Sequence, residues 1–169
     1  MNKKQSKTMK KYIFTLLLFF VCHLGYAQSI DGLFNEFGSE KNADCVTVSS
    51  FMMSLGKMFA GHEEGTEILG KIKSMRVLDL ESCTANVKER FHQKVNKLNL
   101  NGYDELMRVN DEGEKVRVLM KTKKETIREL LFVCTGKEDC TLVQINGKFT
   151  KDDIDRLVNQ ETGKKHGRR

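Results

Sequence analysis

Cysteine is the residue type with the most chemistry to offer in this chain of 169 residues. Of its five cysteines, Cys22 sits in an apolar run near the start, and Cys45, Cys83, Cys134 and Cys140 follow it. Cys134 and Cys140 bracket Thr135-Gly-Lys-Glu-Asp139, which has the composition of a hairpin loop. Their thiols are therefore expected to meet across adjacent strands as a disulfide worth about 2 kcal/mol on the chain-entropy account. Cys45 and Cys83 pair only by elimination. If the strands they flank run parallel through a helical crossover, the two sulfurs lie at opposite ends and stay as free thiols. Redox chemistry would use such thiols, but the chain has no C-x-x-C and the Cys134–Cys140 spacing is unlike an oxidoreductase motif.

The other reactive side chains form weaker patterns. His62-Glu63-Glu64-Gly65 lacks the second histidine that a zinc-binding H-E-x-x-H helix places one turn later, so it reads as a polar loop. His92 falls beside an apolar helical stripe with Lys88 and Glu89 one turn back, and His166 lies in a basic tail. Met52, Met53 and Met58 crowd one segment. Such methionines fill an irregular core, or present an adaptable surface to an apolar ligand or partner, or bind copper(I). Asp152 and Asp153 suit a helix start, where negative charge complements the dipole, better than acid–base work. No nucleophile elbow, phosphate loop or dinucleotide fingerprint is present. The expectation is a protein without a catalytic constellation, a metal site or a cofactor.

Compartment decides how the cysteines are read. Lys3, Lys4, Lys7, Lys10 and Lys11 precede an apolar run from Tyr12 to Leu24, and Gly25-Tyr26-Ala27 follows as a small, any, small triplet. That is the pattern of a Sec-type signal peptide cut before Gln28. The run is shorter than the roughly 20 residues of a spanning helix. Val21 stands before Cys22 where a lipobox wants a small residue, so lipidation is not expected. The whole chain carries 29 basic and 23 acidic residues, but all five lysines of the leader depart with it, leaving 24 and 23, a net charge of +1. Lys164, Lys165, Arg168 and Arg169 then concentrate the basicity in the tail. A nucleic-acid function wants a basic face on a folded domain, so none is expected. Membrane contact is expected only through that tail. The division anticipated is a cleaved leader at 1–27, a single α+β domain at 28–162, and a disordered basic tail at 163–169.

The elements that must position these groups follow from periodicity. Ile30, Leu33, Phe34 and Phe37 predict a short amphipathic helix between a Ser29 cap and Gly38. A strand at Cys45–Ser49, a helix over Phe51, Met52, Leu55 and Phe59 capped by Ser50, a helix at Glu63–Ile72 and a strand at Met75–Leu80 come next. Val87, Phe91, Val95 and Leu98 predict the clearest helix, behind a Thr84 cap. The period then falls to two. Val116, Val118 and Met120 alternate with Arg117, Leu119 and Lys121; Leu130–Cys134 is continuously apolar, as a central strand with both faces covered would be; Thr141, Val143 and Ile145 alternate again. Thr150-Lys-Asp-Asp153 is a capping box opening a last helix with Ile154, Leu157 and Val158 as its stripe. The sum is an α+β domain: an antiparallel meander from about Tyr103 to Phe149 with helices packed on one face, strands near Cys45 and Val77 joining its edge, and an order compatible with a ferredoxin-like relative.

The exported start, the Leu33-Phe34 helix, and the segments Lys71-Ile-Lys-Ser-Met-Arg-Val-Leu78, Tyr103-Asp-Glu-Leu-Met107 and Leu142-Val-Gln-Ile-Asn-Gly-Lys-Phe149 resemble the envelope proteins of Bacteroidota grouped as domain of unknown function 4252. The likeness spans nearly all the chain beyond the leader and rests on core and turn positions, so it carries over no catalytic residue. It implies a small exported α+β domain, periplasmic or extracellular, connected with envelope signalling or stress response. Many relatives are lipoproteins, and this chain departs from them in lacking a lipobox. The function expected is that of a non-catalytic envelope module binding a protein or a small apolar ligand, with Met52, Met53 and Met58 as its candidate surface. A thiol-based enzyme and a periplasmic metal-binding protein stay open as alternatives.

Overall fold

Apolar spacing, capping and a reciprocal charge pair account for most of the local structure. The computed structural model describes residues 28–59, 66–111 and 113–156, excepting the side chains of 55–59, 66 and 67. The expected leader and tail, His62, Glu63, Glu64, His166, Leu157, Val158 and the side chain of Met58 lie outside what is described. Helix α1 (Ile30–Phe37) opens where the Ser29 hydroxyl accepts from the Gly32 N–H at 2.9 Å, and it buries Ile30, Leu33, Phe34 and Phe37. Strand β1 (Asp44–Val48) leads to helices α2 (Ser50–Phe59) and α3 (Thr66–Lys71), then to β2 (Ile72–Asp79). The cap of α2 is Ser49, one residue earlier than expected: its hydroxyl accepts from the Met52 N–H at 3.4 Å. Helix α4 (Ala85–Val95) buries Val87, Phe91 and Val95, and Thr84 at its start makes no side-chain capping bond.

Four strands follow: β3 (Asp104–Asp111), β4 (Glu114–Lys123), β5 (Thr126–Thr135) and β6 (Cys140–Phe149). They form the expected meander, with Gly113 at φ +94° in the first turn, a backbone conformation that favours glycine. The six strands make one sheet in the order β1-β2-β6-β5-β4-β3, and all neighbouring pairs are antiparallel. A ferredoxin-like order needs a parallel crossover. Here α2 and α3 form an excursion that returns beside β1 in the opposite sense, and α4 carries the chain from β2 to the far edge, so that β6 closes against β2.

Helices α1 and α4 cover one face of this sheet. Phe37 and Phe91 meet edge to face, 5.4 Å apart with their planes at 89°. Below them Leu78, Leu119, Leu131, Val133 and Leu142 complete the principal core. A second, smaller cluster of Ile127, Leu130 and Phe149 lies at the other end, packed by Ile68 of α3, Ile72 and Ile154. Helices therefore contribute to both sides of the sheet.

The capping box at Thr150 forms as its sequence predicts. The Asp153 N–H donates to the Thr150 hydroxyl at 3.2 Å, and the Thr150 N–H donates to Asp153 Oδ2 at 2.8 Å. Asp153 is 3% exposed, and Lys71 Nζ donates to its Oδ1 at 2.5 Å, tying α3 to the helical turn at 151–156. The Lys71 ammonium, followed by the Thr150 N–H, holds the Asp153 carboxyl at about 2, below its ordinary 3.8. A carboxyl depressed in the fold stabilises it above the ordinary value, and that contribution fades as pH falls from 3.8 toward about 2. Glu105, held at about 2 first by Arg108, titrates in the same window. The Asp153→Asn variant isolates the difference: it should lose less stability between pH 4 and pH 2 than the unsubstituted protein, and equal acid sensitivity in chemical denaturation would refute the assignment.

Candidate binding face

The strand register arranges side chains in rows across the sheet, because paired residues share a face and successive residues alternate. On the face away from α1 and α4, the middle row reads Val46, Val77, Val143, Phe132, Val118 and Met107 from edge to edge. The next row toward α3 reads Val48, Met75, Ile145, Leu130, Met120 and Asp104. The row on the other side holds Asp44, Asp79, Thr141, Cys134, Val116 and Val109, with Asp111 and Glu114 beyond it. Two rows are thus apolar at eleven of twelve positions and end against a margin of carboxylates.

Ile68, Ile72 and Ile154 cover the lower end of this face among the described side chains. Above them Val46 is 54% exposed, Met107 49% and Val109 42%, while Val77, Phe132, Val143 and Cys134 are half-buried. A groove of about 540 Å³ opens beside the covered end, lined by Met120 and Ile127 and rimmed by Asp104, Lys124, Lys151 and Asp152. Contiguous apolar surface of this kind, bordered by charge, marks an interaction site.

The opposite face carries a polar chain through the principal core. The Arg76 guanidinium donates to Asp31 at 2.5 Å and to Gln144 at 2.8 Å, and stacks 4.2 Å from the centre of the Phe34 ring. The Gln144 amide donates to the Glu129 carboxylate, to which the Tyr103 hydroxyl also donates at 2.6 Å. Burial, and then Glu129, push the Tyr103 phenol well above its usual 10. These bonds lock α1 and the segment before β3 onto the sheet. Arg76, Tyr103 and Gln144 fall within the three resemblance segments, and only the register shows that they meet.

All four cysteines in the described residues are free thiols. The expected Cys134–Cys140 bridge is excluded by register: Cys134 pairs with Thr141, and Thr135 with Cys140, so the two sulfurs point to opposite faces. Strands β1 and β2 are antiparallel, which corrects the parallel geometry considered for Cys45 and Cys83 and places both at the same end of the sheet. Cys45 is exposed, and Cys83 is buried with its thiol donating to the Lys41 carbonyl at 3.5 Å. Cys140, fully buried, lies 3.1 Å from His92 Nε2, and His92 lines a cavity of about 380 Å³ between α4, Gly113 and the β5–β6 hairpin. Burial raises the Cys140, Cys134 and Cys83 thiols above their ordinary 9.0, so all three are held as thiols rather than nucleophilic thiolates. Alkylation of the native protein should label Cys45 first, Cys134 more slowly, and Cys83 and Cys140 only on unfolding. Early modification of Cys140 would contradict this order.

Met52 is exposed and Met53 half-buried on α2, so these two methionines present surface rather than a closed core. Asp152 lines the groove, and Asp153 is consumed by its cap and Lys71. Among the described residues no group of three histidine, cysteine or carboxylate side chains is placed to hold a metal ion, and no helix is long and apolar enough to cross a membrane.

Compared with known proteins, residues 37–157 match the profile of a family described as Domain of unknown function (DUF4252). No curated protein and no solved structure matches the chain.

Proposed function

The chain belongs to the DUF4252 family, and from that premise we propose that it is a non-catalytic exported module of the cell envelope that holds an apolar partner on the open face of its sheet, in envelope signalling or stress response. One observation carries this reading: the unbroken apolar row from Val46 to Met107, exposed at both ends. A solvated face of an antiparallel sheet ordinarily alternates to polar residues, since apolar side chains left in water gain nothing by being there. The charged margin supplies orientation, and the depth of the rows supplies contact area. The leader-like first 27 residues support export.

A photo-crosslinking residue placed at Val46 or Met107 in cells should yield adducts, whereas the same residue at Lys97, on the helix-covered side, should not. Equal labelling at the two sites, or none at either, would defeat the proposal. The thiol-enzyme alternative has His92 beside Cys140 in its favour. That sulfur has no exposed surface and its proton is held more tightly than usual, which suits a packed core pair. The metal-binding alternative has only the methionines of α2 behind it.

A further inference from the structure

We propose that Asn101-Gly102, in the turn between α4 and β3, is a site at which this protein modifies its own backbone, the asparagine closing to a succinimide that opens to isoaspartate or aspartate. The Gly102 amide nitrogen gives up its proton to solvent and attacks Asn101 Cγ. A new C–N bond forms, the Cγ–Nδ2 bond breaks, and Nδ2 leaves as ammonia with a proton taken from solvent. Water then opens the ring at either carbonyl. Opening on one side restores the ordinary main chain with an aspartate at 101, and opening on the other leads the main chain through the side-chain carbon. Water is the only co-reactant.

The chain holds two Asn-Gly steps, Asn101-Gly102 and Asn146-Gly147, and the fold treats them differently. Asn101 and Gly102 are both exposed. Among the described residues nothing accepts from the Gly102 N–H and nothing bonds the Asn101 side-chain amide. The turn is closed around them instead: the Asn101 N–H donates to Asn99 Oδ1 and the Tyr103 N–H to the Leu100 carbonyl, each at 3.0 Å. Gly102 sits at φ +82°, which glycine adopts without strain. Chain neighbours aside, no atom comes closer than 3.9 Å to where its Cβ would stand. The atom at that distance is Cε of Lys121, whose ammonium lies 5.2 Å from the centre of the Tyr103 ring. A cation there favours the negative nitrogen that the attack requires. Nucleophile and electrophile are thus adjacent, solvated and free to approach.

Asn146-Gly147 has the same chemistry and none of that freedom. It lies inside β6 between β2 and β5, with Asn146 opposite Ser74 and Glu129 and with Gly147 buried opposite Ile72. The Asn146 amide donates to the Ser74 hydroxyl at 3.4 Å, and a Cβ on Gly147 would stand 2.7 Å from the Lys71 carbonyl oxygen. Ring closure there has to wait until the ladder opens. The outcome at Asn101 bears on the fold, because isoaspartate adds the Cβ to the main chain within the turn that the Tyr103 N–H closes. Tyr103 is also the residue whose phenol reaches Glu129. The isoaspartyl form should therefore be less stable than a chain with ordinary aspartate at 101, which has the same charge and an unaltered backbone.

The experiment is tryptic peptide mapping of the folded protein aged in mildly alkaline buffer, beside a sample held in denaturant at the same pH. In the fold, Leu98–Arg108 should gain the mass of an amide-to-acid exchange at Asn101 and separate into isoaspartyl and aspartyl forms. It should do so at least about tenfold faster than Glu138–Lys148. In denaturant the two peptides should convert at similar rates. Asn101→Gln, which cannot close the same ring, should leave position 101 unmodified over the same period. Asn101→Asp should keep the thermal midpoint of the unsubstituted protein, and the isoaspartyl fraction should unfold at a lower temperature. Asn101 unchanged in the fold while the unfolded chain reacts, or equal conversion of the two sites in the fold, overturns the proposed site. An isoaspartyl fraction as stable as Asn101→Asp overturns the role given to the turn.

Discussion

Phe91→Ala should lower the stability of this protein by about 3–5 kcal/mol, the usual cost of emptying a fully buried phenylalanine site. Phe91 has no exposed surface, stands edge to face against Phe37, and belongs to the core cluster that joins α4 to α1 and to Leu131 and Leu142 of the sheet. The cavity left behind sits between three elements that are each anchored elsewhere, so it collapses poorly. Against a typical total of about 5–15 kcal/mol for a domain, the loss is about a fifth or more. Phe91→Leu keeps most of the volume and should cost well under half as much. Chemical denaturation of the two variants checks this, and a loss below about 1 kcal/mol for Phe91→Ala would mean that α4 is not packed as described.

Glu129→Leu is expected to cost roughly 2–4 kcal/mol, because it strands two donors at once in a partly buried setting. The Tyr103 hydroxyl and the Gln144 amide both end on that carboxylate, and Gln144 in turn orients Arg76. Adding Tyr103→Phe to Glu129→Leu removes one orphan, so the double variant should be more stable than the sum of the two single losses. A second readout is independent of stability. Tyr12, Tyr26 and Tyr103 are the three tyrosines of the chain, and removal of the leader would leave Tyr103 alone to titrate. Its phenolate absorbance should emerge well above the ordinary 10, and Glu129→Leu should bring it down part of the way, since burial is the larger cause and remains. Because the folded value is the raised one, stability held below pH 10 should erode as alkali passes it. An unshifted titration would show that Tyr103 does not reach Glu129.

The meander places its long-range contacts in a definite order of difficulty. β3 to β6 join by short turns, whereas β2 must wait for β6, which begins more than 60 residues later. Such pairing contributes cost before reward, since the intervening chain has to close first. The β2–β6 register also aligns Arg76 with Gln144 and Val77 with Val143, so both the polar chain and the apolar rows come into being with this one pairing.

Residues close in sequence settled a good deal by themselves. The spacing of Ile30, Leu33, Phe34 and Phe37 with Ser29 before them specifies α1, and Val87, Phe91 and Val95 specify α4, because a helix buries a stripe whose period is local. The Thr150–Asp153 box closes through bonds three residues apart. The meander from Tyr103 to Phe149 is legible because period two and turn residues are local as well. The cysteine bridge does not form for a local reason: an offset of one position across a hairpin sends side chains to opposite faces.

Which face of each strand is deeply buried could not be read from alternation alone. Val116, Val118 and Met120, and likewise Thr141, Val143 and Ile145, form conspicuous stripes, yet they line the more open face. The principal core is built from the residues between them, Leu119 and Leu142, joined by Leu131 and Val133 of the doubly apolar strand. Period two says that a strand has two unlike faces, and the helices decide which of them loses its water. That decision belongs to the tertiary structure, since α1 and α4 reach only one side of the sheet. So does the candidate face: six side chains from Val46 to Met107, scattered over more than 90 positions of the chain, become one surface only when five registers are set together.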